Sequence, residues 1–577
     1  MSRTLFLAAA IAGLCGAPAL AQTPSERLAA VGDAVARDMV AFEPALVDLA
    51  GLDVPGHDRF GDRSPAALAD YDARETANLA ALTAIDRSRL TPTEQATWAV
   101  IREQLESDLQ LRVCRSELWN VNHFAGWPSI FTQMAAYQPV GSDKARADAL
   151  KRWSSLPAFV DQEIANLRRG LAEGYSAPQS VVRRVIGQMD GLTAGKPEDS
   201  PFYDPAKRDT NPAFKAAFAT VITGEINPAL KRYRDFLQTE YLPKARESVA
   251  LSALPNGLAC YQASLRSYTT LNRPPKDVYD LGRRTVEANA AKVVALGRKA
   301  YGLDDFNAIV ARSKGSAANH FKSRDELLAY NQALMAVAKA KSAELVERMP
   351  TQDAVIKPAA EFEEAAGVNS RYEVEPDPAK PGVYRIQLGD WATKTRAEAA
   401  ITVVHETWPG HHLQIAIARE NAPDTAIAKL TFNSAYMEGW ARYAEAMAEE
   451  AGIYDSDDAL IMRRVWPARG MVVDPGLHAF GWTRQQAIDY LVATGRFDAK
   501  GADDTVDRIA VLPGQLTAYD SGGLEIMALR AQAEQALGKG FSLKGFNQVV
   551  LEDGALPLVE LRGKVERWIA ASAAKRP

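Results

Sequence analysis

Cysteine is nearly absent: three in 577 residues, at positions 15, 114 and 260. That excludes a Cys-rich zinc ribbon, an iron–sulfur cluster or a dense disulfide framework. Cys114 and Cys260 suffice for one disulfide in an oxidising compartment, although sequence alone does not decide whether they meet. Excess charge is lacking as well. The 67 basic and 72 acidic residues are interspersed and leave a net charge of −5, which gives no electrostatic footprint for nucleic acid. There is no G-x-G-x-x-G and no G-x-S-x-G. AGKP at 194–197 lacks both the upstream glycine and the Ser or Thr of a phosphate loop. These absences weigh against nucleotide-dependent and serine-hydrolase chemistry. Past the N-terminus no apolar run is long enough to cross a bilayer, so no integral membrane segment is expected after cleavage.

The N-terminus itself reads MSRTLFLAAAIAGLCGAPALAQTP: Arg3, an apolar run from Leu5, then small residues at Ala19 and Ala21. This predicts a signal peptide over 1–21 and a periplasmic or secreted protein. Cys15 follows AGL, without the small residue that precedes a lipid-bearing cysteine, so no lipid anchor is expected. The remaining chain is dominated by amphipathic, Ala/Leu/Glu/Arg-rich stretches such as 143–173 and 214–238, which predict a mostly α fold. Turn-rich ALPNG at 253–257 suggests an N-terminal helical lobe over 22–250 and a C-terminal helical lobe over 251–577. Within 351–394, YEVEP and GVYRIQLGD flank DPAKP and predict two short strands joined by a turn.

Only seven histidines exist, and three of them fall in HETWPGHH at 405–412. The string begins like the His-Glu-x-x-His of a zinc-protease helix, but Pro409 stands where the second histidine belongs. On a regular helix His411 would face away from His405, while His412 would share its face about 10.5 Å further along the axis. Pro409 removes a backbone hydrogen bond and Gly410 admits unusual dihedrals, so a local bulge can return a histidine to His405. Upstream, Thr395 and Glu398 form a helix-start signature ahead of the apolar 397–404 segment, which places His405 and Glu406 on a core helix. Downstream, 432–452 predicts a helix ending at Gly452 with Glu438 and Glu445 on one face. His405, His411 and Glu438 are the candidate metal ligands, with His412 an alternative to His411 and Glu445 in reserve. Two imidazoles and a carboxylate leave one position open for water, the arrangement of a catalytic zinc site. Glu438 can instead be read as an ion-pair partner of Arg442 or Arg464, and the histidines as a polar network at a kinked helix.

HETWPGHHLQ, EGWARYAE, VVDPGLHAFGWT at 472–483 and LPGQLTAY at 512–519 resemble the bacterial domain-of-unknown-function family numbered 885, over nearly the whole chain after the leader. That family is similar to helical zinc peptidases (gluzincins) related to thimet oligopeptidase and carboxypeptidase Taq. Dipeptidyl peptidase III is a parallel that tolerates an extra residue between its histidines. The resemblance implies a zincin-like fold with a cleft between two helical lobes, and a metallopeptidase-like site at His405, Glu406, His411 and Glu438. Gly470 departs from the arginine common four residues before the family's D-x-G-x-H aspartate, and Tyr279 stands where histidine is frequent.

The expected activity is that of an exported zinc-dependent hydrolase, a peptidase of the oligopeptidase or carboxypeptidase kind acting on short peptides. Glu406 is the expected base, with His478 and Tyr519 the candidate oxyanion donors and Asp474 the group orienting His478. Strand GVYRIQLGD is expected to accept extended substrate along its edge. Two rivals stand beside this reading: an amidase acting on a non-peptide or modified amino-acid amide, and a noncatalytic periplasmic binding or scaffold protein.

Overall fold

The computed structural model describes residues 22–574 apart from 361–363, 365–368, 376, 378 and 422–424. The expected leader, 1–21, lies outside the described residues. The molecule is mostly helical with one three-stranded sheet. Where sequence predicts one helix over 143–173 there are two, Asp143–Ser154 and Leu156–Ala172, parted just before Pro157. Over 214–238 the helix continues through a wide π turn at Ile222–Ile226, placed where Pro228 cannot donate to the carbonyl four residues back.

The sheet holds one strand more than the sequence shows. β1 (Ala354–Pro358) lies parallel to β3 (Gly382–Ile386), and β2 (Arg371–Glu373) pairs antiparallel on the other side of β3. β3, the strand expected to accept substrate along its edge, is therefore central, with both edges already hydrogen-bonded. β2 is the strand left at the edge next to the HETWPGHH helix.

Four helices position the histidines and carboxylates. Arg396–Glu406 starts at Thr395, whose hydroxyl accepts the Glu398 N–H at 3.2 Å, and it buries Ala397, Ala400, Val403 and Val404. Each fully buried valine contributes about 1.5–3 kcal/mol to holding it there. His411–Asn421 follows after a four-residue turn. Ser434–Glu450 starts at Asn433, whose side chain accepts the Tyr436 N–H, and stops before Gly452, which takes φ +66°. Gln515–Leu537 begins after Gly514 at φ +88° and packs along Ser434–Glu450 in the most extensive helix contact of the molecule. That contact is backbone on backbone: a Cβ on Gly522 would sit 1.8 Å from the Ala435 carbonyl oxygen, and one on Gly439 2.5 Å from the backbone of Gly522.

The core beneath these helices joins residues from Leu271 to Val565, and a second apolar cluster spans Ala45 to Ala245. The two sides of residue 250 are tied together. Val181 and Val249 pack with Val473 and Leu477, and a Cys114–Cys260 disulfide links the halves covalently.

Candidate metal centre

The interruption at Pro409 ends one helix and begins another; it is not a bulge within a single helix. Arg396–Glu406 closes at Thr407, with φ −117° and ψ −98°. Trp408 is fully buried, and the Pro409 carbonyl accepts the Trp440 indole N–H at 2.8 Å, which fastens the turn to the Glu438 helix. Gly410 is required by space. A Cβ there would lie 2.1 Å from the His405 carbonyl oxygen and 2.3 Å from that of Val404. The new helix leaves with His411 directed back at His405, their rings 4.8 Å apart and nearly perpendicular.

His405, His411 and Glu438 each present a ligand atom within 4.8 Å of the others. Glu438 Oε2 lies 3.3 Å from His405 Nε2 and 3.4 Å from His411 Nε2. It accepts a well-formed hydrogen bond from neither and is buried without a partner, as is His411 Nδ1. Two atoms each about 2.1 Å from a common centre subtend a near-tetrahedral angle when they are about 3.4 Å apart, so these spacings suit a zinc-sized ion. His405 Nδ1 is engaged by Glu445 Oε1 at 2.9 Å. The carboxylate can only accept, so Nδ1 carries its proton and Nε2 is turned toward Glu438, the support commonly found behind metal-binding histidines. Arg442 holds Glu445 at 2.9 and 3.1 Å and approaches Asp520 at 3.7 Å. Arg464 pairs with Glu449. Neither arginine takes Glu438, so the ion-pair reading of that residue does not describe this arrangement.

The electrostatics ask for a cation. Carboxylates outnumber guanidinium here: Arg442 meets Glu445 and Asp520, while Glu438 stands between the two histidines and Glu406 lies within their electrostatic range. Burial alone pushes the His405 imidazole down, yet Glu438, Glu445 and Glu406 raise it to about 10. Burial likewise pushes Glu438 up, but the two histidines more than offset this and hold its carboxyl well below the usual range. Burial raises Glu406, helped by the charge of Glu438 and opposed by His405 and His411. Its Oε2 accepts the Tyr372 N–H of β2 at 2.8 Å, so the edge strand fixes its orientation.

His412 is elsewhere. It is buried, with Nδ1 2.9 Å from the Tyr372 hydroxyl and Nε2 3.1 Å from the Gln352 carbonyl, and burial lowers it to about 4. Gly382 makes room for that hydroxyl, since a Cβ there would sit 2.2 Å from it. Tyr519 does join the group, its ring 6.3 Å from that of His405 and under the Arg442 guanidinium. Burial and the Glu438 charge push its phenol up to about 12. The structure does not bring His478 to the cluster. His478 is fully buried, its Nδ1 accepts the Leu251 N–H at 3.1 Å, and Nε2 meets the Ile509 carbonyl at 3.1 Å. Asp474 does not orient it, but accepts from the Tyr261 hydroxyl at 2.7 Å and the Gly514 N–H at 3.0 Å. At the two departures from the family pattern, a side chain on Gly470 would strike the Leu516 carbonyl, and Tyr279 packs on Phe480 and Trp482.

His405, Glu406, Arg442, Glu445 and Tyr519 line a cavity of ≈ 410 Å³. The roles of Asp520, Arg442 and the Tyr372 backbone were not read from sequence. Asp520 stands beside Tyr519, but nothing in its sequence neighbourhood marks it as facing Arg442.

The chain and its fold are similar to known proteins. The family described as a bacterial protein of unknown function (DUF885) matches residues 44–565. A crystal structure from Colwellia psychrerythraea, described as a "putative lipoprotein", superposes with a TM-score of 0.86 at 21% identity, covering 95% of this chain and 100% of that one. A Shewanella oneidensis structure, described as a "putative lipoprotein of unknown function", gives a TM-score of 0.76 at 19% identity, covering 94% and 99%. At these identities the likeness is one of fold. No curated protein matches the chain.

Proposed function

The chain belongs to DUF885, and we propose that this member is an exported zinc-dependent hydrolase that cleaves short peptides, with a gluzincin-like, zincin-type site. The observation that carries this reading is the convergence of His405, His411 and Glu438 on one point, with a buried, unpartnered carboxylate oxygen between the two imidazoles. A zinc ion held by these three residues would supply a Lewis acid for a substrate carbonyl and acidify a bound water.

The remaining roles fall to side chains already in place. Burial raises the Glu406 carboxyl above its ordinary value and the Tyr372 N–H orients it, as suits a group that takes a proton from water and passes it to a leaving amine. Tyr519, neutral with its phenol near 12, keeps an O–H to donate to a developing oxyanion. Glu445 fixes the His405 tautomer and Arg442 fixes Glu445. Export is supported by the Arg3-to-Ala21 leader pattern and by structural relatives described as lipoproteins.

The test is metal analysis of protein prepared without chelator and supplied with zinc, joined to a peptide-library digest of wild type and Glu406→Gln. The expected outcome is one zinc per chain in both proteins and cleavage only in wild type. Absence of bound zinc would overturn the metal site, and full cleavage by Glu406→Gln would remove that residue from the chemistry.

A further inference from the structure

The cavity that exposes His405, Glu406 and Tyr519 also carries cations that the hydrolytic roles leave unused. It adjoins a second cavity of ≈ 550 Å³, and Lys394, Glu398, Arg496 and Phe497 line both. Lys394 is paired with Asp390 at 3.0 Å, and Arg442 is committed to Glu445. Arg496 and Arg508 differ: among the described residues, no carboxylate lies within ion-pair distance of either. The Arg496 guanidinium lies 5.5 Å from the Trp466 ring and 5.8 Å from the Phe497 ring, two aromatic walls of the same cavity. It is open to solvent, yet the surrounding protein depresses its pKa, while Glu398 and Glu445 pull it back up. That combination marks a cation on the wall of a deep cavity within electrostatic range of the site. Arg508 spends Nη2 on the Gln515 side chain at 2.7 Å and stands beside the Tyr519 phenol, while its Nε is buried with no partner.

The Arg496 guanidinium is exposed and has no carboxylate partner among the described residues, so its N–H donors are available to an incoming anion. Guanidinium matches carboxylate with two parallel hydrogen bonds, and the Trp466 and Phe497 rings, packed edge to face 5.2 Å apart, stand together beside it. Arg496, His405 and Glu406 line one cavity whose volume is within the range of small-ligand sites, so it has room for a single small molecule with an anion at Arg496 and a carbonyl at His405 and Glu406.

We propose that Arg496, together with Arg508, binds a carboxylate of the substrate, so that this protein acts on short peptides carrying a negative charge close to the bond that is cut. The inference rests on the hydrolase reading above. The carboxylate is either the peptide's own C-terminus or an Asp or Glu side chain.

The experiment uses three randomised pentapeptide pools: free C-terminal acids without Asp or Glu, C-terminal amides containing Asp and Glu, and amides without either. Retention of each pool by zinc-supplied Glu406→Gln protein is measured by ultrafiltration and mass spectrometry, alongside cleavage by wild type. Retention of an acidic pool is expected to exceed that of the uncharged amides by about tenfold or more, the scale of a charge-assisted hydrogen bond. Preference for the first pool identifies the C-terminus, and preference for the second identifies a side chain. In Arg496→Ala the preference should vanish through a raised KM more than a lowered kcat, and Arg496→Lys should restore part of it. Equal retention of all three pools, retention of none, or a preference that survives Arg496→Ala would overturn the proposal. Cleavage of all pools alike would leave the hydrolase reading standing without it. Selective retention of acids that Arg496→Ala abolishes, with no cleavage by wild type, would overturn the hydrolase reading and leave only carboxylate binding at Arg496.

Discussion

Glu445 is placed to matter to the proposed zinc without touching it. Its carboxylate holds His405 Nδ1 and is itself held by Arg442. Glu445→Gln keeps an acceptor for Nδ1 but removes the charge. Zinc affinity measured by chelator competition is therefore expected to fall about 10–100-fold, the usual scale for such supporting groups. Unchanged affinity would reduce Glu445 to a packing residue. His478 gives the opposite case, a histidine with a conspicuous sequence setting and a structural task. Burial holds it neutral and depresses it to about 3, whereas the unfolded chain protonates it near 6.5. Lowering the pH below about 6.5 therefore favours unfolding, on the order of 1 kcal/mol per pH unit from this residue until the folded value is reached. His478→Gln should lose less stability between pH 7 and pH 5 than wild type in urea titrations, while its zinc content stays the same. Loss of zinc would reopen a role at the site. At this scale the grouping of His405, His411 and Glu438 was legible, because scarce histidines were clustered, with Glu406 beside the first, and because Glu438 shared one helical face with Glu445. It could not separate His411 from His412, since that depends on how far the chain turns between Thr407 and Gly410. Nor could it demote His478, whose partners are backbone groups of Leu251 and Ile509, far away in the chain.

Between elements, the contact that matters most is made by missing side chains. Gly439 and Gly522 let the Ser434–Glu450 and Gln515–Leu537 helices touch backbone to backbone, and those helices carry Glu438 and Tyr519. Gly522→Ala must move one helix, because the nearest atom is a carbonyl oxygen and not a flexible side-chain end. The expected cost is about 1–3 kcal/mol of stability, with weakened zinc binding, read from denaturant midpoints and metal titration. A variant with wild-type midpoint and affinity would show that the helices can part freely. The helical class, the Gly452 stop and the strands around DPAKP were readable from periodicity and turn residues. β1 was not, because AVIKP is short and its partner lies 28 residues on, so no local pattern announces a parallel pair. The break at Pro409 was foreseen as a distortion within one helix. Its form, two helices with Trp408 buried between them, follows from the Trp440 contact that tertiary packing supplies.

At the scale of the whole molecule, chain on either side of residue 250 is joined by shared apolar clusters and by the Cys114–Cys260 bridge. The bridge closes a loop with a sequence separation of 146 residues, long enough that its loss should cost about 2–5 kcal/mol. Cys114→Ser with Cys260→Ser is expected to lower the denaturant midpoint while leaving zinc stoichiometry at one, because neither cysteine lies at the metal cluster. Equal midpoints for reduced and oxidised wild type would show that the bridge adds nothing. The second apolar cluster lies almost entirely between those two cysteines. In topological terms, that segment is a ring sewn onto a line. Any single cut inside it leaves both products covalently attached, whereas a cut outside releases a free piece. A chain closed in this way, on meeting proteases, would thus tolerate nicks across roughly a quarter of its length without shedding the part that carries His405 and Glu438.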